Sequence, residues 1–281
     1  MMSDSLFPAP RPFLKWAGGK GQLLPELVKC VREAMPIGNY HEPFVGGGAL
    51  FFELVASSIL EAGAFLSDSN RNLIDAYRAV RNQVESVIEV LLQHKESHSK
   101  EHYYRVRSSP AQKALAERAA RIIYLNRTCF NGLFRENSKG EFNVPLGSYT
   151  NPLICDEENL RACAKALERA TVEQRPFEKI LERAQAGDFV YFDPPYVPVS
   201  ATSNFTSYDK GGFGEDSQRR LAEVFAELAQ RGVKVLLSNS ETPLVRELYR
   251  GFRIETVYAT RLVNSRADRR GKVPEVLVRN F

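Results

Sequence analysis

Phe189-Val190-Tyr191-Phe192-Asp193-Pro194-Pro195-Tyr196 is the stretch from which the rest of the chain is read. Four apolar residues that suit a buried strand run into a carboxylate, two prolines and an aromatic ring. Consecutive prolines lack backbone donors and cannot extend a sheet, so the order predicts a strand that stops at Phe192. At its carboxyl end stands a rigid set of acceptors, the Asp193 carboxylate and free backbone carbonyls, with the flat face of Tyr196 beside them. Such a set suits a planar amino group on an aromatic ring: each amino hydrogen finds an acceptor while the ring stacks on the tyrosine. Read alone, the same residues also fit an ordinary strand-ending turn.

Working outward, the flanks alternate between strand and helix patterns. Upstream, a strand near 171–174 leads through Phe177 to a helix around 178–186. Downstream of an irregular segment, 197–214, Asp216 or Ser217 can cap a helix whose Leu221, Val224, Phe225 and Leu228 share a face and which stops at Gly232. A buried-type strand follows over 233–238, then a short helix at 243–249 and a strand over 252–258. A basic, glycine-bearing loop, 264–274, leads to a last strand at 276–278.

The N-terminal third repeats the alternation. Phe13-Leu14-Lys15-Trp16-Ala17-Gly18-Gly19-Lys20 is a glycine-bearing loop before an amphipathic helix carrying Leu23, Leu24, Leu27, Val28 and Val31. It is not a phosphate-binding P-loop, because Leu14 stands where the first glycine is needed and Gly21 where Ser or Thr is needed. Through Lys20 and backbone amides it could hold a smaller anion such as an amino-acid carboxylate; a turn with solvated lysines fits equally. Next, His41-Glu42-Pro43-Phe44-Val45-Gly46-Gly47-Gly48 joins a short strand to a helix containing Leu50, Phe51 and Leu54. Glycines at such a turn let backbone approach a ligand closely. The following strand, 64–67, ends at Asp68, an acid about twenty residues past the turn and well placed for ribose hydroxyls. Together these favour nucleoside binding over a plain βαβ unit, without separating a dinucleotide from another adenosine-containing cofactor.

Between 70 and 176 the alternation stops. Leu73, Ile74, Tyr77, Val80, Val84, Val87, Ile88, Leu91 and Leu92 recur at helical spacing, a charged break spans 93–101, and a second helix covers roughly 115–126. A turn-rich stretch, 127–151, follows. This reads as an inserted module whose Arg105, Arg107, Lys113, Arg118, Arg121, Arg127, Arg135 and Lys139 are interleaved with Tyr103, Tyr104, Phe130 and Phe134. Basic and aromatic residues together suit nucleic acid, although a solvated helical surface has the same composition. With 281 residues, 43% hydrophobic and 26% charged, the chain suits one α/β domain with an insert. A net charge of +4 permits a polyanionic partner without requiring one. The four cysteines, Cys30, Cys129, Cys155 and Cys163, form no zinc-like array and read as free thiols of a reducing cytoplasm. His41, His94, His98 and His102 lack metal-ligand spacing, and the last three read as exposed. The N-terminus has no signal core, and no stretch is apolar enough to span a bilayer.

In these blocks the chain resembles the Dam-type DNA adenine-N6 methyltransferases, from Phe13 to about Val278 and in the family's order. The matching blocks are Lys-Trp-Ala-Gly-Gly-Lys at 15–20, Glu-Pro-Phe-Val-Gly-Gly-Gly at 42–48, Leu-Asn-Arg at 125–127 and Asn-Gly-Leu at 131–133 with Arg135. Phe-Asn-Val-Pro at 142–145, Asp-Pro-Pro-Tyr at 193–196 and Asn-Phe-Thr at 204–206 complete the series. The resemblance implies a Rossmann-like, S-adenosylmethionine-dependent α/β sheet built from 1–69 and 170–281. It also implies an inserted, mostly helical DNA-recognition domain, 70–169, carrying a β-hairpin.

What the resemblance implies for single residues follows the motifs. Trp16, Lys20, Phe44, Gly46, Gly48, Asp68, Phe177 and Asp193 are similar to cofactor positions: Trp16 and Lys20 at the methionine end, Asp68 at the ribose, Phe177 at the adenine. Lys15, Arg127, Phe130, Asn131, Gly132, Leu133, Arg135 and Pro145 look like DNA contacts, with Arg135 the guanine reader and Phe130 a wedge where tyrosine is common. Ser148 stands where some members carry arginine, which implies looser phosphate anchoring. Asp193, Pro194, Pro195 and Tyr196 resemble the catalytic motif. Adenine N6 is a poor nucleophile buried in the duplex, so the implied mechanism flips the base and binds N6 to the Asp193 carboxylate and the Pro194 carbonyl. The nitrogen is thereby drawn toward tetrahedral geometry for in-line attack on the sulfonium methyl. No nucleophilic cysteine or metal is implied. The expected target is duplex DNA, with GATC the family's commonest site; the expected state is a monomer in a prokaryotic cytoplasm or phage-infected cell, at the nucleoid through DNA. The rivals are a methyltransferase of RNA adenine or of a protein glutamine, and a non-catalytic nucleotide- or DNA-binding module.

Overall fold

A computed structural model describes residues 8–16, 18–60, 62–110, 113–137, 140–198, 213–260 and 272–281. Lys139, the Asn-Phe-Thr block and most of the 264–274 loop lie outside them. In chain order the elements are α1 (Leu24–Ala34), β1 (Tyr40–Glu42), α2 (Ala49–Ala56), β2 (Ala64–Asp68), α3 (Arg71–Glu96), α4 (Lys100–Ser108), α5 (Leu115–Thr128), α6 (Glu157–Leu167) and β3 (Ala170–Gln174). They continue with β4 (Phe189–Phe192), α7 (Glu215–Gln230), β5 (Lys234–Ser240), α8 (Pro243–Leu248), β6 (Arg253–Thr260) and β7 (Lys272–Arg279). The chain divides into two compact units: Met1–Gly19, Gly46–Leu60 and Asn70–Gln174 form the first, and Lys20–Val45, Glu61–Ser69 and Arg175–Phe281 the second.

In the second unit six strands stand in the order β2-β1-β4-β5-β7-β6. The first four are parallel, with Tyr40 opposite both Ala64 and Phe189, and Val190 opposite Val235. β7 enters antiparallel between β5 and β6, with Leu237 opposite Val278. All four residues of β4 are buried, as an apolar run covered on both faces must be. Its Val190 and Phe192 pack with Leu221, Val224, Phe225 and Leu228 of α7 and with Val235, Leu237, Val276 and Val278. The chain order reverses between β1 and β4: β2 lies on one side of β1, and β4 on the other. Parallel sheets bind ligands at the carboxyl ends of strands flanking such a reversal, here the ends marked by Phe44 and Asp193.

Two local details depart from the sequence reading. α7 begins at Glu215 with Gly214 at its cap, so Asp216 lies inside the first turn, where a carboxylate still favours the helix's positive end. The helix expected at 178–186 is a 3-10 turn, Phe177–Glu182. Arg183 N bonds back to Ile180 O there, and the turn ends before a full α-helix develops.

The first unit is mostly helical. α3 packs chiefly on α5 and α6, burying Leu73, Ile74, Tyr77, Val80, Val87, Ile88 and Leu91, and departs from helical geometry at Gln83. The charged break is shorter than expected. α3 runs on to Glu96, and Ser99 caps α4 by accepting from His102 N at 3.0 Å. α4 and α6 were not foreseen: α4 is short and weakly apolar, whereas Asp156 ahead of Glu157 and Glu158 was a legible cap. The 127–151 stretch holds a 3-10 turn, Phe130–Gly132, and two isolated antiparallel bridges, Cys129 to Leu146 and Glu136 to Phe142; around the second, Asn143 N bonds to Arg135 O at 3.0 Å and Asn137 N to Glu141 O at 2.9 Å, a short hairpin pairing.

The histidines of this unit are not surface groups: His102 is buried, and His94 and His98 are half-buried. Arg105 Nη2 lies 2.8 Å from His102 Nδ1, His102 Nε2 3.0 Å from His94 Nδ1, and His98 Nδ1 2.9 Å from the Tyr124 hydroxyl. Guanidinium can only donate. His102 Nδ1 therefore accepts, and its proton sits on Nε2 and is donated to His94. All four cysteines are buried free thiols. No helix among the described residues is long and apolar enough to cross a membrane.

Candidate active site

At the end of β4 the second unit gathers the expected catalytic motif with one expected cofactor residue. Asp193 is half-buried, and its Oδ1 accepts from Lys20 Nζ at 2.8 Å and from Ser238 Oγ at 3.0 Å. Lys20 itself is buried, and its ammonium lies 4.6 Å from the centroid of the Tyr196 ring, a cation–π contact. Among the described residues, nothing donates to Asp193 Oδ2.

The two prolines give this segment no donors of their own, so neighbouring side chains fix its course. Gln218 Nε2 donates to the Pro195 carbonyl at 2.8 Å, and Val197 N donates to Asn239 Oδ1 at 3.1 Å. Asn239 Nδ2 in turn donates to Gln218 Oε1 at 3.0 Å. Tyr196 donates its hydroxyl proton to Glu275 Oε2 at 3.0 Å. Pro194 is buried, yet its carbonyl meets no such partner among the described residues. Among the described residues, the Asp193 Oδ2 oxygen and the Pro194 carbonyl, two acceptors adjacent in the chain, meet no donor, while Asp193 Oδ1, the Pro195 carbonyl and the Tyr196 hydroxyl are held.

Electrostatics at Asp193 are a contest. Burial pushes its carboxyl above the ordinary range, while the Lys20 ammonium and the Ser238 hydroxyl pull it down; burial is the larger effect. Burial also drives the Tyr196 and Tyr191 phenols well above their ordinary value, with Asp193 adding to the effect. Both phenols stay protonated donors at neutral pH.

At the other strand ends of the second unit, Phe44 stacks on Phe177 with centroids 5.3 Å apart, and Phe213 meets Phe44 edge-on at 5.6 Å. Phe177 is largely buried in that cluster. Asp68, the last residue of β2, is half-buried and accepts Arg175 N on its backbone carbonyl.

In the first unit, Gly46 and Gly48 take left-handed conformations, φ 48° and 66°. A Cβ on Gly46 would lie 2.8 Å from Trp16 Cδ1, and one on Gly48 would lie 2.6 Å from the Tyr77 hydroxyl. That hydroxyl donates to Gly46 O at 3.1 Å. Trp16 stacks on Phe134, centroids 5.2 Å apart. The expected DNA residues group in the same unit. Buried Asn126 accepts from Lys15 N at 2.7 Å and donates both to Lys15 O at 2.7 Å and to Gly132 O at 3.0 Å. The 15–20 loop is thereby locked to the Asn-Gly-Leu turn. Lys15, Phe130, Asn131, Arg135 and Pro145 are exposed, Leu133 is half-buried, and Gly132 is buried beneath the Lys15 side chain. Phe130 N donates to the Pro145 carbonyl at 2.9 Å.

Most of the insert's basic residues hold their own chain together instead of standing free. Arg118 Nε donates to Asp75, Arg121 to the carbonyls of Val106 and Arg107, Arg107 to Val144 O, and Arg127 Nε to Phe13 O at 3.1 Å. Burial lowers the pKa of Arg127 and Arg121, as expected of internal braces. The composition of the insert therefore overstated its nucleic-acid footprint. Arg135 differs: its Nε is held by Asn143 Oδ1 at 2.7 Å, and among the described residues its terminal nitrogens make no bond.

Sequence reasoning missed Ser238, Gln218, Asn239 and Glu275, which lie on α7, β5 and β7 and carry no motif of their own. It also missed Tyr149, an exposed ring lying under the Lys15 ammonium at 4.4 Å.

A family model for the D12 class N6 adenine-specific DNA methyltransferases matches residues 16–263. A type II methyltransferase of Lactococcus lactis subsp. cremoris is 45% identical over 96% of this chain and 95% of its own length. A type II methyltransferase of Methanocaldococcus jannaschii is 42% identical over 96% and 99%. The DNA adenine methylase of Escherichia coli K12 is 36% identical over 95% and 94%.

Proposed function

Since the chain belongs to the D12 class of N6 adenine-specific DNA methyltransferases, we propose that it methylates the N6 of an adenine turned out of duplex DNA, within GATC. The observation that carries the reading is the pair of acceptors, Asp193 Oδ2 and the Pro194 carbonyl, that meet no donor among the described residues, in a segment whose Asp193 Oδ1, Pro195 carbonyl and Val197 amide are held by Ser238, Gln218 and Asn239. An aromatic amino group has two hydrogens, and two fixed acceptors draw them out of the ring plane. The nitrogen lone pair then points away from both acceptors, at no reorganisation cost during reaction. A stacked base would rest on Tyr196, whose ring angle is set by Glu275. Unstacking costs a few kcal/mol, which contacts such as these offset.

Bound S-adenosylmethionine supplies a sulfonium methyl. The chain's residues fit it. Left-handed Gly46 and Gly48 keep the turn after β1 free of side chains, Asp68 offers a strand-end carboxylate for ribose hydroxyls, and the Phe44–Phe177 pair gives an aromatic wall. We assign Trp16 and Lys20 to the methionine end, although Lys20 also holds Asp193. As the N6 proton becomes acidic, Asp193 is the nearest base, and its raised pKa suits it to share that proton. For recognition we assign Arg135 to a guanine edge and Lys15, Phe130, Asn131, Gly132, Leu133 and Pro145 to the duplex. Residues 70–169 form the recognition domain and the remainder the catalytic domain. Arg127 serves this face from behind, by bracing the Phe13 backbone.

The test is methyl transfer from tritiated S-adenosylmethionine to plasmid DNA, followed by cleavage with enzymes that distinguish methylated from unmethylated GATC. Protection confined to GATC supports the proposal. Label entering RNA or protein instead would revive the rival methyltransferases, and an Asp193→Ala variant with full activity would show that these acceptors do not do the chemistry.

A further inference from the structure

Asp193 is reached by a second, wholly buried contact that the motif itself does not contain. Ser238 Oγ donates to Asp193 Oδ1 at 3.0 Å, and the Tyr191 hydroxyl lies 2.9 Å from the same Oγ. Ser238 is fully buried and Tyr191 nearly so, so neither hydroxyl can turn to water. A hydroxyl has one proton. Because Ser238 spends it on Asp193, the Tyr191 phenol must be the donor to Ser238. The order Tyr191 to Ser238 to Asp193 is therefore directional, and it ends on the oxygen that Lys20 also holds.

We propose that Ser238 is a positioning residue for methyl transfer: held by Tyr191, it fixes the plane of the Asp193 carboxylate so that Oδ2 faces the target amino group. The inference rests on the reading of Asp193 given above. A carboxylate turns readily about its last bond, and one ammonium on a four-carbon stem holds it loosely. A donor rooted in the neighbouring strand removes that freedom. β4 and β5 are paired in register, Phe192 opposite Leu237, which brings Ser238 level with the residue following the strand. Tyr191 contributes through Ser238 alone, by denying its hydroxyl any other orientation.

The experiment uses the full chain with a duplex oligonucleotide and measures single-turnover transfer, binding of S-adenosylmethionine and DNA, and the rate against pH. Wild-type transfer to duplex adenine is the control: its absence overturns the functional reading itself and is distinct from any result with the variants. Ser238→Ala should slow the methyl-transfer step about tenfold or more, the usual effect of losing a hydrogen bond to a charged group, with both binding constants within about twofold of wild type. The acid limb of its rate profile should move to higher pH, because the carboxylate loses a donor. Tyr191→Phe should lose less, and the double variant should be no slower than Ser238→Ala alone, because Tyr191 acts through Ser238. A wild-type rate in Ser238→Ala, an unmoved acid limb, or losses that multiply in the double variant would each overturn the proposal.

Discussion

Replacing His94 with Asn should remove about 2 kcal/mol of the stability this protein loses between about pH 7.5 and 5. The His94 ring lies against Tyr124, centroids 4.7 Å apart, and its Nδ1 already accepts the His102 proton. A second proton has no place there unless His102 yields, and His102 is held by Arg105 on its other side. Burial first, and the neighbouring His102 second, lower the His94 pKa from 6.5 to about 4. Below pH 6.5 the unfolded chain binds this proton and the folded chain does not. The stability is therefore fully present above about 6.5 and is lost as the pH falls toward 4. At roughly 1.4 kcal/mol per pKa unit the whole effect is about 3 kcal/mol. About 2 kcal/mol of it falls between about pH 7.5 and 5 by the same titration. An Asn at this position keeps an oxygen to accept from His102 and takes up no proton. Denaturant unfolding followed by circular dichroism at both pH values reads the difference directly. Wild type should lose about 2 kcal/mol more than His94→Asn across that interval; parallel losses would refute the reasoning, because every other titrating group is common to the two proteins.

Lys20→Met should shift the acid limb of methyl transfer to higher pH, because Asp193 loses the cation that opposes its burial; an unchanged limb in a rate–pH profile would remove Lys20 from the chemistry. Gly46→Ala places a Cβ 2.8 Å from Trp16 at φ 48°. It should weaken S-adenosylmethionine binding about tenfold by calorimetry, at a strain cost of about 1 kcal/mol or more. Arg135→Ala should relax discrimination at one guanine by about 1–3 kcal/mol in competition with single-base variants of the site. Arg127→Ala should instead lower unfolding stability by about 1–3 kcal/mol and leave the salt dependence of DNA binding unchanged, since its guanidinium is committed to Phe13 O.

Strand and helix order was legible because apolar periodicity and punctuation agree locally: β4 ends where the prolines begin, and α7 buries the four residues its spacing marks. α4 escaped because nine weakly apolar residues give little periodicity, although Ser99 caps it. The candidate catalytic motif announced itself through unusual chemistry at a strand end. Its supports did not, because Gln218, Asn239, Ser238 and Glu275 come from three separate elements, and only the fold brings them to one place. The basic residues of the insert misled for the converse reason. Composition counts charges without showing that Arg107, Arg118, Arg121 and Arg127 are bound to their own chain.

The Asn126 amide has a consequence for how such a protein can diverge. One buried side chain, with both of its polar atoms committed, fastens the backbone of Lys15 to that of Gly132, and Trp16, the next residue after Lys15, rests on Phe134, two residues past Gly132. Surface letters in the turn, such as Asn131 or Arg135, can be exchanged to try new targets while the joint keeps its shape. The joint itself cannot drift by small steps, since losing either half of the amide strands a polar group in a dry interior. New specificities should therefore arise as changes of outward-facing side chains on an unaltered hinge pin, with position 126 the last to vary.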